Sequence, residues 1–136
     1  MRPLFSSFFA LALGSLPATG HAFTADNRLK VAPVSNAVFE VYGRGAQSAR
    51  EYWCAAGDYA ITALGAGATQ RIYLVQGRAP SVAEPRRTSV RFSLSPEAAG
   101  ITPLDPQNSI TVTRIGDNIG AAHAQTFCYV GVGRAN

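Results

Sequence analysis

One stretch of the chain carries a helical period strong enough to organise a fold: Ser48 to Leu64, SAREYWCAAGDYAITAL. At about 100° per residue, Trp53, Cys54, Gly57, Ala60, Ile61 and Leu64 fall on one face, with Glu51, Asp58 and Thr62 opposite. Ser48 followed three residues later by Glu51 is a capping-box pattern, and Gly65 is a natural stop. Together these predict a helix over about 48–64. It concentrates rare residues, holding the only Trp, one of the two Cys and two of the five Tyr. Its aromatic face reads as core. Gly57 costs about 1 kcal/mol relative to Ala inside a helix, so close approach to a sheet is the expected reason for it. Tyr52 and Tyr59, on the flank, are the parts of the helix expected to meet a partner.

The remaining patterns are shorter. Val38–Tyr42 is β-branched and aromatic, and Gly43-Arg44-Gly45 ends it. Thr69–Gln76 and Thr88–Leu94 are two further strands; in the second, Val90, Phe92 and Leu94 alternate with Ser89, Arg91 and Ser93. A Pro- and Arg-rich loop, 78–87, lies between them. Pro96–Gly100 predicts one helical turn with Ser95 as cap. Ser109–Ile115 (SITVTRI) reads as a fourth strand, Gly116-Asp117-Asn118 as a turn, and Ala122–Val130 as a fifth strand that includes Cys128. Phe23–Ser35 lacks a period and contains Pro33, so it is expected to be a mobile leading arm. The order predicts an α+β fold: one main helix packed on a mostly antiparallel sheet of about five strands, with one disulfide.

Residues 1–22 have the form of a secretory signal peptide. Arg2 supplies the positive start, Leu4 to Leu16 is an apolar run, and Gly20-His21-Ala22 is a small-x-small cleavage pattern. The apolar run is shorter than the ~20 residues that cross a bilayer. Cleavage after Ala22 would leave 23–136 as one small secreted domain, periplasmic or extracellular, with no further segment able to span a membrane. It would carry eleven basic and eight acidic side chains, a net charge of +3. All but Lys30 of those basic residues are Arg.

Export decides how the cysteines are read. Cys54 and Cys128 both survive cleavage, and an even pair in an oxidising compartment is most simply a disulfide. A reactive thiol would need an unpaired Cys beside a base. Zinc would need four ligands, and two Cys with one remaining His fall short.

Candidate chemistry is sparse. His123 is the only histidine left after cleavage, and catalysis would require a carboxylate or nucleophile beside it; Glu40, Glu51 and Asp117 are the conceivable partners. No Gly-x-Ser-x-Gly, His-Glu-x-x-His, phosphate-binding loop or Cys-x-x-Cys motif is present. Leu64-Gly65-Ala66-Gly67 lies between helix and strand, the wrong order for a dinucleotide fingerprint. No cofactor or metal is therefore expected. The strongest surface feature is basic: Arg71, Arg78, Arg86, Arg87 and Arg91 fall within 21 residues, against Glu84 alone. If the strands around the loop form a hairpin, Arg71 and Arg91 share its outer face while Arg78, Arg86 and Arg87 crowd one end. Guanidinium forks there suit phosphate or carboxylate.

The stretches VFEVYGR, EYWCAAGDYA, RIYLVQGRAPSV, VRFSLSPEAAGITPLDP and FCYV resemble those of a group of small exported alphaproteobacterial proteins with no assigned function. The resemblance implies an exported single domain with both cysteines in the same setting, and brings no activity or catalytic residue. A second similarity is architectural. Small secreted ribonucleases also pack a helix on an antiparallel sheet, and Glu40, Arg71 or Arg91, and His123 would fill their roles, although no local motif of that family is present.

The expectation is thus an exported, disulfide-stapled binding or envelope-associated module. Arg78, Arg86 and Arg87 would meet an anionic envelope component or an acidic protein, with nucleic acid disfavoured because aromatic interleaving is limited to Tyr73. The alternative is a small nuclease-like hydrolase using His123 with a carboxylate such as Glu40.

Overall fold

The main helix begins where its capping residues place it. In the computed structural model, which describes residues 22–107 and 109–129, the Ser48 hydroxyl accepts from the Glu51 amide while the Glu51 carboxylate accepts from the Ser48 amide. The helix, α1, runs Ala49–Thr62. Gly65, with φ +68°, turns the chain away, and the Ala66 amide bonds back to the Ala60 carbonyl. The expected signal peptide falls on residues 1–21, outside the described residues, apart from Ala22.

Six antiparallel strands form one sheet: β1 (Phe23–Thr24), β2 (Lys30–Pro33), β3 (Phe39–Tyr42), β4 (Arg71–Pro80), β5 (Thr88–Ser93) and β6 (Asn118–Gly120), in the order β1-β2-β3-β5-β4-β6. Two short helices, α2 (Pro96–Ala99) and α3 (Ala121–Thr126), complete the described elements. Inward residues of the central strands, Val31, Phe39, Val41, Ile72, Leu74, Val90 and Phe92, share one core with Trp53, Ala56 and Ala60 of α1. Trp53 meets Phe92 edge-on at 4.8 Å and donates its indole N–H to the Thr111 carbonyl at 2.9 Å. The α+β architecture expected from the sequence is present.

Five local expectations are corrected. Phe23–Ser35 is no loose arm: Ala25–Leu29 is a tight turn, with Arg28 at φ 69°, that folds β2 back onto β1 and pairs Val31 with Val41. Ser109–Ile115 is not a strand. The edge of β4 that it would need is occupied by residues 116–120, because Leu74 exchanges backbone bonds with Gly116 and Asp117 and β6 pairs with Arg71–Tyr73. Only Val112 of that segment is buried.

Ala122–Tyr129 is not a strand either, and Val130, the last residue of that expected strand, lies outside the described residues. Its start belongs to α3, whose Ala121 and Ala124 pack into the core, and the alanine-rich AAHAQT favours a helix on propensity alone. Gly57 accordingly meets α3, not the sheet: a Cβ there would stand 2.5 Å from the Gln125 amide nitrogen and 2.8 Å from the Ala124 Cβ. Lastly, Tyr52 and Tyr59 are buried, not on a free flank, because Tyr59 packs on Phe23 and Phe39 of the sheet and Arg78 covers Tyr52. Asp58 is buried too, between the 25–29 turn and α3, accepting from the Asp26 amide, the Thr62 hydroxyl and the Gln125 side chain.

Cys54 and Cys128 form a disulfide with Cα atoms 4.9 Å apart across a sequence separation of 74. It ties α1 to the turn just after α3. In the chain-entropy picture a loop of this length contributes roughly 4 kcal/mol.

Candidate anion-binding groove

Three connections meet at one end of the sheet. The register Lys30↔Tyr42, Tyr42↔Ser89 and Ala79↔Ser89 aligns the start of β2, the end of β3, the start of β5 and the end of β4. The turn 25–29, the β3–α1 connection 43–48 and the β4–β5 turn 81–87 therefore emerge side by side. Each carries cationic side chains.

Arg78 is aimed by an irregular strand. β4 shifts register between Leu74 and Gln76 and again between Gln76 and Ala79, and such bulges redirect the side chains they contain. Gly77 sits in this stretch because a Cβ would come within 2.7 Å of the Val112 carbonyl. Arg78 then reaches α1: its guanidinium donates to the Gln47 carbonyl at 2.9 Å and stands 5.6 Å from the centre of the Tyr52 ring, a cation–π geometry.

Arg86 and Arg87 sit on a turn that Glu40 anchors. This carboxylate is 1% exposed on the sheet face opposite the core, since it alternates with Phe39 and Val41. It accepts from the Ser81 hydroxyl at 2.6 Å, the Val82 amide at 3.0 Å and the Ala83 amide at 2.9 Å. The turn closes on itself through Ser81 N–H to the Arg87 carbonyl and Arg87 N–H to the Glu84 carbonyl, both 2.8 Å. Burial pushes the Glu40 acid up. The bonds from Ser81, Ala83, Val82 and Ser89 outweigh burial and hold it below the ordinary 4.5. Burial, reinforced by Glu84 and Glu40, raises the nearby Tyr42 phenol although Arg87 opposes it. Tyr52 is also raised, chiefly by burial.

The result is two adjoining depressions. A cavity of roughly 510 Å³ is lined by Arg44, Tyr52, Arg78, Arg86 and Arg87. A neighbouring one of roughly 680 Å³ is lined by Arg28, Lys30, Tyr42, Arg44, Gln47 and Arg87. They share Gly43, Arg44 and Arg87. Six of the ten basic side chains among the described residues line the pair, against Glu84 alone of eight acids. With one anion among six cations, the groove favours bound negative charge. Arg28, Lys30 and Arg44 carry no signal of this role in the sequence, because the turns that bring them here span 58 residues of chain between Arg28 and Arg86. Arg71 and Arg91 stay outside. Arg71 donates to the Asn118 side chain and carbonyl. Arg91 lies on the outer face between Glu40 and Gln76, with a buried Nε that has no hydrogen-bond partner.

The histidine pair suggested by the sequence is not assembled. His123 is exposed on α3, against Phe127 at 5.3 Å, and the cleft beside it is lined by Arg50, Gln107, Ser109, Ile110, Ile119 and Phe127, with no carboxylate. Glu40 is on the other side of the sheet. The remaining conceivable partners have other work: Asp117 accepts from the Thr111 amide and hydroxyl, and Glu51 completes the α1 cap. Among the described residues no group of three or more His, Cys, Asp or Glu could hold a metal ion, and no helix is long and apolar enough to cross a membrane. Comparison with family models, with curated proteins and with solved structures gives no match.

Proposed function

We propose that this protein is an exported, non-enzymatic binding module whose arginine groove takes the anionic groups of an envelope component or an acidic partner. The observation that carries the proposal is the gathering of Arg44, Arg78, Arg86 and Arg87 around one concavity. Export is supported by the apolar, small-x-small pattern of residues 1–22 and by the disulfide. Arg78 is pre-set by Gln47 and Tyr52, and the backbone that carries Arg87 is fixed by the turn that Glu40 anchors, which lowers the ordering needed on binding.

The test is retention of partners from an envelope fraction by immobilised mature protein, compared with R78S/R86S/R87S. The triple variant is expected to lose them. Partners held equally well by both forms would make the loop an ordinary surface. The non-enzymatic part is checked separately: hydrolysis of RNA or cell-wall material by purified protein, abolished by His123→Ala, would overturn it.

A further inference from the structure

The groove is longer than the arginine cluster that defines it, and this bears on what it takes. We infer that its ligand is a linear acidic polysaccharide, lying across all three connections from Arg28 and Lys30, past Arg44 and Arg87, to Arg78 and Arg86; this rests on the binding reading above. The two cavities adjoin, with Gly43, Arg44 and Arg87 lining both, so cations are spaced along a path and not gathered at a point. A single small anion would use one cavity and leave Arg28 and Lys30 idle. A chain with charge repeated at intervals engages both, and linked contacts reinforce one another.

The chemistry between the cations selects the polymer. Thr88 supplies a hydroxyl among the charges, and Gln47, whose side-chain N–H donates to the Arg44 carbonyl, adds its side-chain oxygen, matching hydroxyls carried between carboxylates on a sugar chain. A single-stranded nucleic acid needs exposed ring faces for its bases, but Tyr42 and Tyr52 are both buried, and Arg78 already stands over Tyr52. A nucleic-acid duplex needs an element that projects into its groove, whereas this surface is concave. An acidic peptide in extended form adds to a free strand edge; β2, β3 and β5 are flanked on both sides here, and the outer edge of β4 beyond Leu74 is crowded at Gly77 by the Val112 carbonyl and ends in Pro80, which has no N–H.

The experiment measures binding of oligogalacturonates of increasing length to mature protein, with poly-glutamate, oligodeoxythymidylate and galacturonic acid monomer as comparators. Affinity is expected to rise with length and then level off once the groove is filled. R28S/K30S is expected to weaken the long oligomers by roughly five- to tenfold, the scale of two exposed ion pairs, and to leave the shortest binding oligomer unchanged. R50S/R114S, which removes two cations outside the groove, should change neither. A flat length dependence, or equal losses in R28S/K30S and R50S/R114S, overturns the extended path. Tighter binding of poly-glutamate or oligodeoxythymidylate at equal charge overturns the glycan. Either failure alongside an intact effect of R78S/R86S/R87S leaves the binding module standing; loss of that effect as well removes both.

Discussion

Glu40 owes its place to geometry more than to charge pairing. Three donors, the Ser81 hydroxyl and two consecutive amides, converge on a carboxylate that solvent barely reaches. Glu40→Gln replaces an acceptor with a group that can also present N–H, so a stability loss of about 1–3 kcal/mol is expected at neutral pH. The sign of its pH dependence comes from the lowered acid. Its contribution is complete above the ordinary value near 4.5 and is lost as pH falls through the lower folded value. In denaturant melts the gap between wild type and Glu40→Gln should therefore narrow below pH 4.5. A gap that stays constant to strongly acid pH would contradict this role. Gly57 has an equally specific neighbourhood. Alanine would favour the helix by about 1 kcal/mol, yet its Cβ would press on the backbone of α3 at Gln125. Gly57→Ala is expected to destabilise by about 1–3 kcal/mol net; a more stable variant would mean that α3 is not held so close.

At the scale of elements, the fold depends on how α1 is fastened. Its one face packs on the sheet through Trp53 and its other side receives α3, and the Cys54–Cys128 bond closes that second contact. Cys54→Ser and Cys128→Ser are each expected to cost roughly 4 kcal/mol, and the double variant little more than either single one. Additive losses in equilibrium unfolding would argue against a shared bond. Mass measurement before and after reduction and alkylation should likewise show both thiols protected.

For the whole molecule, legibility in the sequence tracks the range of the signals. The α1 cap, the β4–β5 hairpin with Arg78, Arg86 and Arg87 at its end, and the Pro96–Gly100 turn are local patterns, and the structure contains them. Residues 23–35 and 109–129 depart from their sequence patterns because partners elsewhere decide their conformation. Val31 needs Val41 to become a strand, Ser109–Ile115 finds its edge taken by β6, and the alanines of α3 make sense only against Gly57. The same limit hides half of the groove. Nothing near Arg28 or Arg44 in sequence signals that three connections converge, nor that Glu40 anchors the turn bearing Arg87.

That convergence is the central claim, and titration of isotope-labelled mature protein with an oligogalacturonate, tracked by amide NMR shifts, addresses it most directly. Shifts are expected together in residues 28–30, 43–47 and 78–88, saturating with one affinity, while α3 and the His123 cleft stay unmoved. Shifts centred on Arg50, His123 and Phe127, or none in the three connections at saturating ligand, would contradict it.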